Sequence, residues 1–263
     1  MNFIYQNKEI YYNICGNGKA LVFLHGFTEN SEIWNDFSSF LSNYYTCITI
    51  DLPGHGKSDT LENEHSMEEM AFIVKNIIDS NKINNCIIVG HSMGGYVALA
   101  FAEAYPELLK GLCLFHSSAL DDTIEIKQNR ERTIDFVRKD KFSFLNQFIP
   151  DLFAPENKSK YQNDIDKLLK NAELMTPEGI INAISGMKNR KTRVETLMRL
   201  NIPVLFIAGK KDSRVPIDKI IQQISLPKHS ESLILDNVGH MGYIEAKDLT
   251  LETITYFAKK IYR

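Results

Sequence analysis

The stretch Ile87-Ile88-Val89-Gly90-His91-Ser92-Met93-Gly94-Gly95-Tyr96-Val97-Ala98-Leu99-Ala100 decides how this chain is read. A short apolar run suited to a buried strand gives way to Gly-x-Ser-x-Gly and then to helix-forming sequence. At such a turn the serine hydroxyl is exposed at the tip of the junction, and the glycines two residues to either side let strand and helix backbones approach closely. The pentapeptide alone is a weak signal, and its place between an apolar strand and a helix gives it weight.

Working outward, similar apolar runs recur at Ala20-Leu21-Val22-Phe23-Leu24, Tyr45 to Ile50, Cys86 to Val89, Leu112 to Phe115, Val204 to Ala208 and Ser232 to Leu235. Continuous rather than alternating apolarity predicts strands covered on both faces, hence a mostly parallel sheet flanked by helices. The spacing predicts helices over about Glu32 to Leu41, Ser66 to Asp79, Met93 to Ala104, Ile217 to Gln223 and Asp248 to Ile261. Two opening strands, Asn2 to Gln6 and Glu9 to Ile14, read as a hairpin turning at Asn7-Lys8. From Ala119 to Glu195 the strand signal vanishes and charged helix-period sequence runs through Ile124 to Lys141, Phe142 to Phe148, Lys160 to Leu174 and Pro177 to Met187. This predicts a helical insertion over residues 119–195 standing on a core made of 1–118 and 196–263, since so long a structureless loop does not suit a compact domain.

Thirty Lys and Arg against 33 Asp and Glu give a formal charge of −3, which offers no electrostatic reason to expect nucleic acid or an anionic membrane as partner. No run approaches the roughly 18 apolar residues that span a bilayer, and the first residues lack a basic segment followed by an apolar one, so a cytoplasmic location is expected. Cys15, Cys47, Cys86 and Cys113 are dispersed singly, without metal-ligand spacing, and read as small buried hydrophobes.

A serine hydroxyl needs a neighbouring base to become a nucleophile, and the base needs a partner that fixes its tautomer. Of seven histidines, His240 follows the last strand and precedes the last helix, at the strand end where ligand chemistry concentrates in α/β sheets. Asp212 follows the preceding strand at the equivalent place. Asp51, and Asp121 with Asp122 after the sixth strand, are alternative acids; chain order favours Asp212.

The sequence resembles the α/β-hydrolase superfamily, in particular its small esterase and lactonase-like members. The carriers are His25-Gly26-Phe27, Asp51-Leu52-Pro53-Gly54-His55-Gly56-Lys57-Ser58, Gly90 to Gly95, Gly209 to Pro216 and Gly239-His240. The resemblance implies an eight-stranded, mostly parallel sheet with a helical cap, a Ser92, Asp212 and His240 triad, and an oxyanion hole built from the backbone N–H groups of Phe27 and Met93. It further implies a cofactor-free and metal-free carboxylesterase-like hydrolase of a small ester, thioester or lactone, working as monomer or homodimer. C–C bond hydrolysis or lyase chemistry of the menaquinone-pathway type uses the same triad and is the alternative, and a hydrolase-like small-ligand receptor is an alternative of another class.

Around the triad, His25, His91, Trp34, His116 and Arg130 are candidates to line the substrate pocket. His25 and His91 also suit a loop-bracing role, and Trp34 suits core packing. His55 suits a structural role in its turn, whereas His65 and His229 read as solvated loop residues. Lys127, Arg130, Arg132, Arg138 and Arg193, balanced by Glu125, Glu131, Asp135 and Glu195, read as a solvated helical face, with inward placement of Arg130 or Arg132 toward a substrate carboxylate or phosphate as the alternative.

Overall fold

A computed structural model describes residues 1–263. The chain opens with a hairpin of β1 (Asn2–Tyr5) and β2 (Lys8–Cys15), paired antiparallel with Tyr5 opposite Lys8. The turn is therefore Gln6-Asn7, one residue earlier than expected. Both residues sit at positive φ, 48° and 62°, the mirror-image geometry whose twist matches the flanking strands. This register also buries Ile10 and Tyr12 together on one face of β2.

The remaining strands are β3 (Ala20–Leu24), β4 (Thr46–Ile50), β5 (Cys86–His91), β6 (Leu109–Phe115), β7 (Pro203–Gly209) and β8 (His229–Leu235). Their order is β1-β2-β4-β3-β5-β6-β7-β8, antiparallel where β2 meets β4 and parallel from β4 onward. Every residue of β3 and β5 is buried, as continuous apolar runs require, whereas β8 at the edge alternates. The parallel strands thus direct their C-terminal ends to one side of the sheet.

Between the strands lie α1 (Asn35–Leu41), preceded by a 3-10 turn at Ser31–Trp34, then α2 (Met67–Ser80) and α3 (Met93–Ala104). Ser66 caps α2 by accepting the Glu69 N–H at 3.1 Å, which explains the start of that helix from Ser-x-x-Glu. Between β6 and β7 the chain forms no strand and contributes α4 (Ile124–Lys139), α5 (Lys141–Phe148), α6 (Gln162–Ala172), α7 (Pro177–Asn189) and α8 (Val194–Arg199). Thr123, Asp140 and Thr176 cap three of these through their side chains. The short α8 is an addition to the expected set, as is α10 (Gly242–Glu245), which follows α9 (Ile217–Ile224) and precedes α11 (Lys247–Ile261). Both are too short to produce a readable apolar period.

One contiguous apolar core joins the sheet to its helices. Trp34 is fully buried in it, packed on Phe23, Phe37, Phe115 and Tyr243 with ring centroids 5.3 to 6.1 Å apart. The four cysteines are unpaired, and burial pushes the Cys47 and Cys86 thiols up to about 12, so neither is a nucleophile at neutral pH. No helix is long and apolar enough to cross a membrane.

The turn between β5 and α3 is closely packed. A Cβ on Gly94 would overlap the backbone carbonyls of Leu24 and His25, and one on Gly90 would lie 2.6 Å from Gly94 C and Gly95 N. Backbone cannot rotate away as a flexible side chain can. Gly94→Ala should therefore lower the urea midpoint by an amount worth about 1–3 kcal/mol, without changing the slope of the transition. An unchanged midpoint would show that the helix can lift from the strand at no cost.

Candidate active site

Ser92 sits between β5 and α3 at φ 49° and ψ −113°, a strained conformation for a residue bearing a Cβ. It is held there by its own N–H donating to Phe115 O at 2.9 Å, and by its carbonyl accepting from the Gly95 N–H and the Ser117 hydroxyl. The Ser92 hydroxyl makes no hydrogen bond to protein and faces a cavity of about 560 Å³. Met93, the next residue, opens α3, so its amide lies in the first turn, where no carbonyl four residues back is available within the helix. Phe27, in the loop after β3, lines the same cavity.

Asp212, in the loop after β7, is buried and its carboxylate is saturated with donors. Oδ1 accepts the N–H groups of Arg214 and Val215 at 2.8 and 2.9 Å. Oδ2 accepts from His240 Nδ1 at 2.8 Å and from His116 Nδ1 at 3.0 Å. Burial alone would raise its pKa, but the two imidazoles outweigh this and hold the carboxyl well below the usual carboxylate range. His240 thus presents Nδ1 to the carboxylate and keeps Nε2 on the cavity side, where the ring lines the same wall as Ser92.

His116 is a second imidazole on the acid. Burial, the largest influence, pushes its pKa down to about 4 against the pull of Asp212, so the ring is neutral at pH 7. With Nδ1 donating, Nε2 is a bare lone pair that finds no donor in the protein. The ring does not reach the cavity. Donor atoms of His116, Asp212 and His240 lie within 4.8 Å of one another, a spacing that suits a cation. A metal would have to displace both imidazole N–H bonds to the carboxylate, so the contacts present fit a hydrogen-bonded cluster better.

His91 is the residue whose role the structure defines most sharply. Its Nδ1 lies 2.8 Å from Glu29 Oε2 and its Nε2 lies 2.9 Å from the His240 carbonyl oxygen. With Glu29 ionised both neighbours accept only, so both ring nitrogens donate and the ring is an imidazolium. Burial would lower its pKa, yet the Glu29 charge and hydrogen bond prevail and raise it; reciprocally, burial would raise Glu29, and His91 draws it down. Glu29 also accepts the Gly26 N–H at 2.6 Å and the Tyr243 hydroxyl at 3.0 Å, so this buried pair is fully hydrogen-bonded. Nothing in the sequence pointed to Glu29 or Tyr243, because an acid four residues beyond His25 belongs to no spacing rule.

The other candidate lining residues divide. Arg130 lines the cavity, whereas His25 and Trp34 lie away from it. His25 Nδ1 donates to Gly26 O at 2.7 Å and Nε2 accepts the Leu52 N–H at 2.9 Å, which braces the loops after β3 and β4. Asp51 accepts the N–H groups of Ser31 and Lys57, and so organises the loops rather than meeting His240. Asp122 binds Arg130 and, at 2.7 Å, Arg190, while Asp121 is exposed. Arg132 is exposed and bonded to Asn129 of its own helix. Two expectations are overturned. His65 is fully buried, with Gly54 and Gly186 packed against it, and Arg193 is 2% exposed in ion pairs with Glu68 and Glu103. The helical segment supplies much of the cavity wall through Ile126, Phe136, Phe144, Phe148, Ile184 and Met187. A second hollow of about 630 Å³, between α1, α6 and the α10–α11 corner, contains no serine or histidine.

The Glu29–His91 pair gives a pH signature. Glu29 contributes stability above the unfolded carboxylate pKa of about 4.3, and this is lost as pH falls through its lowered folded value. His91 contributes below the unfolded imidazole pKa of about 6.5, and this is lost as pH rises through its raised folded value. Glu29→Gln alone should cost about 3–5 kcal/mol near pH 6 by leaving a buried imidazolium unpaired. The stability difference between wild type and a Glu29→Gln, His91→Gln double variant should peak between those limits, and a difference flat from pH 4 to 9 would show that the pair is not ionic.

A family model described as alpha/beta hydrolase fold matches residues 19–247. The pimeloyl-[acyl-carrier protein] methyl ester esterase of Wigglesworthia glossinidia brevipalpis is 31% identical over 96% of this chain and 99% of its own. A 2-hydroxy-6-oxononadienedioate/2-hydroxy-6-oxononatrienedioate hydrolase of Paraburkholderia phymatum is 28% identical over 90% of this chain and 86% of its own. A thermophilic esterase from Thermogutta terrifontis superposes with a TM-score of 0.92 at 27% identity, covering 97% of this chain and 95% of that one. With the sheet order, the strand-to-helix serine and these relatives in agreement, the chain belongs to the alpha/beta hydrolase fold family and is a hydrolase.

Proposed function

We propose that the protein hydrolyses a carboxylic ester of a small molecule through an acyl-enzyme on Ser92. The observation that carries this reading is the convergence of three strand ends. Ser92 after β5 and His240 after β8 line one cavity, and Asp212 after β7 holds His240 by Nδ1 at 2.8 Å. In the proposed sequence His240 Nε2 takes the Ser92 proton as the hydroxyl attacks the carbonyl, and the imidazolium that forms is stabilised by Asp212. The backbone N–H groups of Phe27 and Met93 receive the negative oxygen of the tetrahedral intermediate, each such donor being worth about 2.7–4 kcal/mol in the barrier. His240 returns the proton to the leaving alcohol, then activates the water that releases the acid. Substitutions at Phe27 or Met93 would reshape the acyl pocket without deleting these donors. Residues 119–195 act in this reading as a lid over the core formed by 1–118 and 196–263.

Similarity to a methyl ester esterase supports ester cleavage, and similarity to a hydrolase of oxononadienedioates supports C–C bond hydrolysis as the second reading. Trapping separates them, since only the first reading requires an acyl group on Ser92 during turnover.

Ser92→Ala should reduce hydrolysis of a p-nitrophenyl ester series by about four orders of magnitude or more, with unchanged circular dichroism and thermal midpoint. A fluorophosphonate should label the wild type at Ser92. An unlabelled wild type, or a Ser92→Ala variant that retains turnover, would remove the nucleophile assignment.

A further inference from the structure

We propose that Arg214, with Arg130 and Lys219 beside it, forms a carboxylate-recognition subsite at the rim of the Ser92 cavity, selecting esters that bear a second, ionised carboxyl group away from the scissile bond. This deepens the ester-hydrolase reading and rests on it. The loop that supplies Asp212 also fixes Arg214, whose backbone N–H donates to Asp212 Oδ1 at 2.8 Å. The Arg214 guanidinium lies 4.6 Å over the ring of Phe148, and Phe148 in turn packs edge-on against Phe27 with centroids 5.5 Å apart. The charged fork is thereby held on an aromatic shelf that leads to the proposed oxyanion site.

What distinguishes Arg214 is that its side chain finds no acceptor. Arg130, the other arginine on this wall, is tied to Asp122, Arg190 is held by a buried ion pair to Asp122, and Arg193 is held by Glu68 and Glu103. Lys219 lines the same wall and has no carboxylate partner. The acids that line the cavity are committed elsewhere, Glu29 to His91 at 2.8 Å and Asp151 to Lys158 at 2.7 Å. Arg214 keeps open surface at the rim, yet burial of its head group, followed by the Arg130 charge, depresses its pKa against the opposing pull of Asp151 and Asp212. The Arg214 guanidinium and the Lys219 ammonium thus bring unused hydrogen-bond donors to one opening, and a planar fork with free N–H groups matches a carboxylate bidentately.

The test compares monomethyl esters of linear dicarboxylic acids with the same esters in which the free carboxyl is a carboxamide. Wild type should prefer the carboxylate by about tenfold or more in kcat/KM, mainly through KM, and added salt should erode the preference. In Arg214→Gln the ratio should fall toward one, and Arg214→Lys should restore it only in part, since it returns charge without the fork. A ratio near one in wild type, or one that Arg214→Gln leaves intact, overturns the subsite. If neither ester is turned over and a fluorophosphonate fails to label Ser92, it is the ester-hydrolase reading that fails. Calorimetry on Ser92→Ala protein with the monomethyl ester and its carboxamide then still decides the subsite. Tighter carboxylate binding that Arg214→Gln abolishes supports it, and equal binding overturns it.

Discussion

Buried carboxylates clip the strand ends together, and the site depends on that constraint. Parallel strands of this sheet end in loops on one side, and loops do not share backbone ladders. Glu29 ties the loop after β3 to His91 at the end of β5 and to Tyr243 beyond β8. Asp212 ties its own loop after β7 to His116 after β6 and His240 after β8. Asp51 ties the loop after β4 to the start of the turn before α1. The three acids are 2 to 8% exposed, and each is satisfied by backbone N–H groups, imidazoles or, at Glu29, a tyrosine hydroxyl. An ionised carboxylate in such a place is tolerable only because its lone pairs are filled, and that requirement fixes the loops.

Two imidazoles in this network do opposite things for a reason visible in their neighbours. His91 meets an ionised carboxylate and a carbonyl and carries charge, whereas His116 meets one carboxylate and, on its other side, the packed backbone of Gly242 with no donor, and stays neutral. His91 thereby grips the backbone of His240 with a charge-assisted hydrogen bond, while the His240 ring is held by Asp212. Backbone and ring of one residue are thus fixed from different strands, which leaves the imidazole little freedom to turn from the cavity. The strained φ of Ser92 is sustained in the same way, by a strand hydrogen bond on one side and the Ser117 hydroxyl on the other.

Much of this fold was legible in the sequence because apolar runs and glycine spacing are local. The elbow around Ser92, the alternation of strand and helix, and the strand-free block after Ala119 could all be read from windows of a few residues. The Asp212–His240 pairing could be anticipated from chain order. What escaped was set by partners far away in sequence. His65 resembles a solvated loop residue until α7 packs its Gly186 against it, and Arg193 resembles a surface cation until Glu68 and Glu103 converge on it. The hairpin turn lies one residue earlier than expected, at Gln6-Asn7, where both residues take positive φ. Glu29 was invisible because two of its three partners, His91 and Tyr243, lie far along the chain.

The helical segment obeys the same electrostatic logic in a looser form. Asp122 lies near its start and gathers Arg130 from α4 and Arg190 from the end of α7, so one buried acid joins the first and fourth helices of the segment. Arg190 is further stacked over Tyr96 of α3 at 4.1 Å and donates to the Met187 and Leu120 carbonyls. The Asp122 ion pairs tie the segment to itself, the Arg190 stacking joins it to α3, and Arg193 pairs with Glu68 of α2 and Glu103 of α3, whereas the cavity wall includes Phe136, Phe144 and Phe148, whose mutual contacts are apolar. An ion pair with its lone pairs filled resists displacement because separation exposes unpaired charge in a dry site. Aromatic contacts slide with smaller penalties and no unmet polar group. The charged side, where Arg190 and Arg193 meet α2 and α3, therefore fixes where the segment sits, while the aromatic wall carries no charge of its own.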